Sequence, residues 1–140
     1  MNPNLTLLLD DDVIRKAKDY SKSNETSLSK LVEEKKVHAS VSALHFSNLF
    51  YIIRKVKGSE SAKSVLRKLK ILVNILPVDE KVIELALESN FSDFEDAIQY
   101  YACLDNKIDV IITRNKDVFR RGKLPVMTAE ELLAVLKLKR

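Results

Sequence analysis

Residues 108–113, Ile-Asp-Val-Ile-Ile-Thr, are the segment that most constrains the fold of this chain. Apart from Asp109, the segment is nearly all apolar and β-branched, which favours a strand. A strand without a polar side suits a parallel sheet that is covered by helices on both faces, because neither face then meets water. The sequence therefore predicts an α/β fold in which this strand is buried.

Short apolar runs and helical patterns alternate along the rest of the chain. Further strands are predicted at residues 5–9, 37–41, 75–78 and 125–127. The spacing of apolar residues predicts helices between them, beginning with residues 12–23 and, after a break at residues 24–26, a helix capped by Thr26 or Ser27. The order β-α-α-β-α-α-β-α-α-β-β-α implies a single domain in which one parallel sheet lies between helical layers.

Polar residues mark the ends of several predicted helices. Ser42 and Asp79 are placed to cap helices at their N-termini, and Gly58 ends the helix that Ser42 begins. Residues 92–95 and 128–131 match the capping-box pattern, in which a polar residue and an acid three positions later satisfy backbone N–H groups. The first box predicts a helix that begins at Ser92 and runs to about Leu104.

Acidic and amide side chains gather at one predicted edge of the sheet. They follow the first strand, follow the strand at residues 108–113, or begin the helix before it: Asp10, Asn115 and Asp117, and Asp93 and Asp96. Ligands of open α/β sheets bind beyond the carboxyl ends of the strands. Converging carboxylates repel each other unless a cation lies between them, and hard oxygen ligands suit Mg²⁺ or Mn²⁺. This edge is therefore the candidate site.

Some of these acids also have an ordinary structural interpretation. Asp93 and Glu95 lie in a first helical turn, where the helix dipole favours negative charge. Asp117 fits a turn. Asp96 lies beyond the turn that needs capping, on the side of the helix that leans inward, so it is the strongest candidate for chemistry.

Composition limits the other classes of function. Cys103 is the only cysteine, so no internal disulfide can form, and its helical surroundings predict a small buried residue.

No apolar run reaches membrane length and no leader pattern is present, so we expect a cytoplasmic protein. Residues 36–140 carry eighteen basic and thirteen acidic groups. This excess suits a nucleic-acid partner, or an ordinary solvated surface.

Two stretches resemble the PIN domain family. They read FSDFEDAIQYYACLDNKIDVIITRNKDVFRRGKLPVMTAEELL (residues 91–133) and SVSALHFSNLFYIIRK (residues 40–55), and the resemblance covers about residues 37–133. It implies an α/β fold and, often, a Mg²⁺-dependent ribonuclease that is the toxin of a toxin–antitoxin pair. The metal positions of the family fall on Asp96, on Asn48 where Glu is usual, and on Asn115 where Asp is frequent, with Asp117 two residues on.

The N-terminal segment, about residues 4–35, carries a second resemblance. LTLLLDDDVIRKAKDY (residues 5–20) and TSLSKLV (residues 26–32) are similar to ribbon–helix–helix antitoxins, whose strands pair across a dimer and enter the DNA major groove. That arrangement would turn Leu8 toward the bases. A PIN domain also opens with a strand and two helices. We therefore predict that residues 1–35 complete the sheet of one domain, residues 1–140, with residues 36–140 as the PIN-like portion and Asp10 at the first aspartate of the family.

Two functions fit these observations. The first is a PIN-type ribonuclease in which Asp10, Asp93, Asp96 and Asp117 hold the ion, assisted by Asn48 and Asn115, and basic residues follow the RNA backbone. Those basic residues are Arg114, Lys116, Arg120 and Arg121. The second is a catalytically weak PIN-like regulator that binds a partner protein or DNA. The partners implied are RNA, an antitoxin or a second copy of the chain, and DNA through the N-terminal segment.

Overall fold

A five-stranded sheet forms the centre of the molecule. The computed structural model describes residues 5–10, 13–14, 23–120 and 122–138. Its strands are β1 (Thr6–Leu9), β2 (His38–Ser42), β3 (Val73–Leu76), β4 (Val110–Ile112) and β5 (Val126–Met127). They lie in the order β3-β2-β1-β4-β5, and every neighbouring pair is parallel. The predicted single-domain α/β fold is confirmed.

In the part of the chain that the structure describes, six helices and one 3₁₀ turn accompany the strands. The helices are α1 (Ser23–Glu33), α2 (Ala43–Lys57), α3 (Ser59–Leu72), α4 (Glu80–Leu87), α5 (Phe94–Asp105) and α6 (Ala129–Leu138), and the 3₁₀ turn is Lys116–Phe119. The helix predicted at residues 12–23 falls almost entirely outside the described residues. Among the helices described, none has the length and apolar character needed to cross a membrane.

The helices cover the sheet on both faces. On one face, Leu7 and Leu9 of β1 pack in a core with residues of α1, α2 and α6, such as Leu28, Leu49 and Leu132. On the other face, Leu8 packs with residues of α4 and α5. This double cover explains why residues 108–113 lack a polar side, since both sides of β4 are buried.

The first strand lies in the middle of the sheet. Leu8 of β1 pairs with Ser40 of β2 on one side and with Ile111 of β4 on the other. The orientation of Leu8 toward DNA, expected from the ribbon–helix–helix resemblance, is therefore wrong: the side chain is 0% exposed. The physical reason is that helices α4 and α5 cover the face to which Leu8 points.

Several predicted helix ends are confirmed in atomic detail. Ser42 Oγ accepts from the His45 N–H at 3.2 Å, and Asp79 Oδ1 accepts from the Val82 N–H at 3.0 Å. Gly58 ends α2 with a φ of 85°, a backbone conformation that only glycine adopts readily. At the start of α6 the capping box is complete, with Thr128 and Glu131 each accepting from the backbone N–H of the other.

Three boundaries differ from the prediction. β3 begins at Val73 rather than at residue 75, because α3 leads directly into the strand. The predicted break at residues 24–26 lies inside α1. Helix α5 is capped by Asp93 instead of Ser92, and Asp93 Oδ1 accepts from the Asp96 N–H at 2.9 Å. A local pattern does not distinguish two adjacent polar residues that can both cap.

Shortening Leu8 tests the central position of β1. We expect Leu8→Ala to lower the free energy of unfolding by about 2–5 kcal/mol, because it leaves a cavity between the sheet and α5. Urea denaturation measures this. The matched control is Leu87→Ala on α4, whose side chain is 65% exposed and whose loss should change stability by less than about 0.5 kcal/mol. An equal loss of stability in Leu8→Ala and Leu87→Ala would contradict the placement of β1 at the centre of the sheet.

Candidate active site at the carboxyl edge of the sheet

Alternation along three neighbouring strands brings polar side chains to one face of the sheet. Leu8, Ser40 and Ile111 are register partners, and Leu8 and Ile111 point toward α4 and α5. Side chains two residues apart in a strand share a face. The residues two positions on, Asp10, Ser42 and Thr113, therefore point to that same face beyond the carboxyl ends of β1, β2 and β4.

Asp10 is fixed in this position by its neighbours. Thr113 Oγ1 donates to Asp10 Oδ2 at 2.8 Å, and the Asp10 N–H donates to the Ile112 carbonyl at 3.0 Å. The Thr113 hydroxyl also accepts from the Asn115 N–H at 3.2 Å. Thr113 is fully buried, and sequence reasoning missed its role. The sequence did offer one signal for this role: Thr113 lies two residues after Ile111 and therefore points to the same face of the sheet.

Asp96 begins the buried stripe of α5. Gln99, Tyr100 and Cys103 are all buried, and they lie three, four and seven residues after Asp96, which is the spacing of one helix face. Asp96 is half-buried at the N-terminal end of that stripe. Asp96 is thus partly withdrawn from solvent at the start of a helix that packs on the sheet.

Gln99 is a polar residue within this buried stripe. Its side chain is 0% exposed, and among the described residues neither its amide oxygen nor its amide nitrogen has a hydrogen-bond partner. A buried polar group without a partner costs about 1–3 kcal/mol, so an unpaired amide of this kind calls for an explanation such as a bound polar group. Its position, one turn from Asp96, makes this end of α5 polar as well as acidic.

A contact between α2 and α5 closes one side of the edge. Asn48 Nδ2 donates to Glu95 Oε1 at 3.0 Å, across 47 residues of sequence. Asn48 is half-buried, and Glu95 is exposed. Glu95 was expected only as an acid in a first helical turn, and its partner on α2 depends on the tertiary fold.

The three remaining predicted metal ligands are exposed side chains. Asp93 is exposed and uses one carboxylate oxygen to cap α5. Asn115 is exposed, and Asp117 is exposed in the 3₁₀ turn. Within the described ranges, no three acidic, histidine or cysteine side chains lie close enough together to hold one metal ion. Among the described residues, no three of the predicted acids Asp10, Asp93, Asp96 and Asp117 therefore share one point.

Of the predicted RNA-contacting residues, Arg114 and Arg120 are exposed beside this edge, whereas Arg121 lies outside the described residues. Lys116 Nζ instead forms an ion pair with Glu131 Oε2 at 2.9 Å. That bond, together with the Thr128 N–H, lowers the pKa of Glu131 below its ordinary value. Lys116 thus connects the 3₁₀ turn to α6.

Two other reactive side chains belong to the core. Cys103 is buried, and burial raises the pKa of its thiol far above the ordinary value, as expected for an inert residue. Tyr100 is buried and its hydroxyl accepts from the Lys123 N–H at 2.6 Å. Its ring lies so close to Gly122 that a Cβ there would meet it. Tyr100 therefore holds the loop before β5.

The sequence profile of the PIN domain family matches residues 7–117. The chain belongs to the PIN domain family. The family profile begins to match inside β1. It therefore includes the central strand, which lies outside the residues 37–133 that resembled PIN domains in the sequence. No curated protein sequence matches the chain. The comparisons give no support for a ribbon–helix–helix antitoxin segment.

Solved structures share this PIN fold at low sequence identity. FitAcB from Neisseria gonorrhoeae has 15% identity and a TM-score of 0.69, over 89% of this chain and 98% of that one. DNA-bound VapBC from Salmonella typhimurium has 14% identity and a TM-score of 0.68, over 89% and 98%. VapC20 of Mycobacterium tuberculosis, described as a toxin that cleaves the sarcin–ricin loop, has 13% identity and a TM-score of 0.63, over 84% and 96%.

Removing the Thr113 hydroxyl tests how Asp10 is held. We expect Thr113→Val to reduce the free energy of unfolding by about 1–3 kcal/mol, because it keeps the shape but removes the hydroxyl that donates to Asp10 and accepts from the Asn115 N–H. Thr113→Ser is the matched control, since it keeps the hydroxyl and loses one methyl group, at a cost of about 1 kcal/mol. Chemical denaturation of both variants measures the change in the free energy of unfolding. A Thr113→Val protein as stable as the wild type would show that the hydroxyl does not support Asp10.

Proposed function

We propose that this PIN domain is a divalent-metal-dependent endoribonuclease that acts at the carboxyl edge of its sheet. One observation carries the proposal. Asp10 is held by Thr113 at the end of the central strand, on the sheet face that α5 covers. The carboxylates of Asp10 and Asp96, from distant parts of the chain, would then share the edge where ligands of α/β sheets bind.

The residues at this edge fit a partial metal site. Its donors are carboxylate and amide oxygens, which suit Mg²⁺ or Mn²⁺. No described group of three acids surrounds one point, but Mg²⁺ usually keeps several waters and is held by one or two protein carboxylates together with substrate phosphates. The orphaned amide of Gln99 is a further polar group near Asp96. Asp10 and Asp96 would hold the ion, and the RNA would complete its shell.

Exposed basic residues of the chain would assist phosphodiester hydrolysis at this edge. A divalent ion neutralises phosphate charge and activates water when it is bound. Arg114 and Arg120 are exposed and would attract the RNA backbone without reading its sequence. The polar edge lies beyond a dry sheet, so the carboxylates are fixed by packed strands and by α5.

The resemblance in fold to toxins of known pairs supports the toxin type. One neighbour is described as a toxin that cleaves the sarcin–ricin loop, and another as a toxin–antitoxin complex from Klebsiella pneumoniae. We infer the same broad class, an RNA-cleaving toxin, for this chain. Its RNA target is left open by this inference.

Replacing Asp96 tests the ribonuclease directly. We expect Asp96→Asn to reduce RNA cleavage in Mg²⁺ or Mn²⁺ by roughly a hundredfold, by analogy with the loss of metal-site partners. The substitution is isosteric and keeps the backbone N–H that Asp93 caps. The control is Asp105→Asn at the other end of the same helix, where the carboxylate pairs with Lys81 at 3.1 Å on the surface. Gel assays on varied RNAs measure cleavage.

Full activity in the Asp96→Asn protein would refute this assignment. Absence of cleavage by the wild type, in either metal, would favour the second candidate function, a catalytically weak PIN-like regulator. The specific observation that favours it is the presence of amides at Asn48 and Asn115, since amide oxygens bind hard cations more weakly than carboxylates. Metal binding without turnover would fit that regulator.

An apolar groove supports an antitoxin-type partner. It lies between α2 and α3, has a cavity volume of about 220 Å³, and is lined by residues that include Leu49, Ile53, Val65 and Leu69. The outer face of α3 beside it is basic, with Lys63, Arg67, Lys68 and Lys70 exposed. An amphipathic segment with acidic residues on its polar face would match both properties.

The groove is linked through the backbone to the segment that carries Asp10. Ile14 lines the groove, and the Ile14 N–H donates to the Asp10 carbonyl at 3.3 Å. A partner seated in the groove would therefore contact the segment that carries Asp10. We infer that such a partner would alter the position of this carboxylate, which is a direct route to inhibition.

A dye attached to the groove tests the partner. Cys103 is the only native cysteine and is buried, so Val56→Cys, at a residue 82% exposed that also lines the groove, provides one reactive thiol. We expect an acidic amphipathic peptide to shift the emission of this dye, and a scrambled peptide of the same composition to leave it unchanged. The same dye at Leu87→Cys is the control. Equal responses at both positions would rule out a specific groove partner.

DNA binding through the N-terminal segment has no support in this arrangement. Both edges of β1 are already bonded, to β2 and β4. A ribbon–helix–helix dimer needs that strand to pair with a second chain, which would require removal of the central strand from the sheet.

A further inference from the structure

The buried polar side chains of the described residues come from neighbouring elements of the fold. They lie in β2, in the first turn of α2, in α5 and directly after β4, and they are Ser40, Ser42, His45, Gln99 and Thr113. Helix α5 contacts both β2 and α2. Most of the buried polar groups are therefore close to α5, the helix that carries Asp96.

Gln99 differs from the other members of this group in its hydrogen bonding. Ser42 Oγ lies 2.6 Å from His45 Nδ1, and Thr113 Oγ1 donates to Asp10 Oδ2 at 2.8 Å. In the part of the chain that the structure describes, the amide of Gln99 provides the only buried side-chain oxygen and nitrogen without a partner. A buried polar group that stays unpaired in a native fold destabilises that fold, so its presence needs a functional explanation.

Helix geometry brings the amide of Gln99 close to Asp96. Leu104 and Asp105 mark the exposed side of α5, and Gln99 lies on the opposite, fully buried side. Side chains of a helix incline toward its N-terminus, and a long side chain covers the turn before its own Cα. We therefore expect the amide of Gln99 to lie over the first turn of α5. At a spacing of three residues, Gln and Asp side chains on a helix can form a hydrogen bond.

We propose that Gln99 is the positioning residue of Asp96. In the structure Gln99 does not bond to Asp96. When the Asp96 carboxylate directs one oxygen to a divalent cation, Gln99 Nε2 donates to the other oxygen and fixes the orientation of the carboxylate. Carboxylates that hold a metal are commonly supported by a hydrogen bond of this kind. This inference rests on the proposed metal-dependent function, and it explains why an amide occupies a position surrounded by apolar residues.

Replacement of Gln99 by methionine tests the first part of the proposal, the unpaired amide. Methionine is as long as glutamine and as unbranched, but it has no amide group. We expect Gln99→Met to raise the unfolding temperature of the full-length chain without metal by about 3–6 °C, because an unpaired polar group leaves the core. Differential scanning calorimetry measures this change. If methionine is not tolerated, Gln99→Leu removes the same amide.

Binding of Mn²⁺ tests the second part, the support of Asp96. We expect Gln99→Met to lower the affinity of the chain for Mn²⁺ alone on the order of tenfold, as measured by the electron paramagnetic resonance signal of free Mn²⁺. Because Gln99 acts through Asp96, the same substitution in the Asp96→Asn protein should cause no further loss. The control is Ile98→Met, which changes a buried neighbour on α5 without removal of a polar group and should leave the affinity unchanged.

The outcomes separate this proposal from the function on which it rests. If Gln99→Met lowers the unfolding temperature and leaves Mn²⁺ affinity unchanged, Gln99 has an ordinary structural role and the proposal is refuted. The ribonuclease assignment still stands in that case, provided that Asp96→Asn lowers Mn²⁺ affinity and RNA cleavage. A further loss of affinity in the Asp96→Asn protein would show that Gln99 does not act through Asp96, which also refutes the proposal. If the wild type neither binds Mn²⁺ nor cleaves RNA, both proposals fail.

Discussion

The position of β1 at the centre of the sheet is the constraint on which the rest of the structure depends. Its backbone is bonded to β2 and β4, and Leu7 and Leu8, on opposite faces, are both fully buried. Among the described strands it is the middle one of five, with β2 and β3 on one side and β4 and β5 on the other. Because all strands are parallel, fixing β1 also fixes which edge receives the polar residues that follow the strands.

The candidate site follows from this constraint. Asp10 is the first residue after the central strand, and it is bonded to Thr113, 103 residues later, at the end of β4. Helix α5 packs on the same face and begins at the same edge, so Asp96 is presented by a rigid element. Fixed supports of this kind are needed where a small displacement of a carboxylate would weaken metal binding.

Two features of the surface are linked through the same short segment. The apolar groove between α2 and α3 includes Ile14, which lies one turn from Asp10 and bonds to its carbonyl. The contact between Asn48 and Glu95 connects α2 to α5 on the other side of the edge. Helix α2 therefore lines the groove and also carries Asn48, which contacts α5.

Much of the fold could be predicted from local sequence, because it depends on patterns a few residues long. The β-branched run at residues 108–113 identified a buried parallel strand, Asp79 and Ser42 identified helix starts, and the Thr128–Glu131 box was complete. Predictions failed where neighbouring residues were chemically equivalent, as with Ser92 and Asp93, or where a resemblance suggested another environment, as with Leu8.

By itself the sequence determined the fold class, the family resemblance and the edge at which Asp10 and Asp96 lie, since strand alternation and chain order decide these. Only the tertiary structure decided which residues support the site. The Thr113 hydroxyl meets Asp10 across 103 residues, and Asn48 meets Glu95 across 47. The physical reason is that a hydrogen bond between distant residues depends on how the elements pack, which no local pattern in the chain encodes.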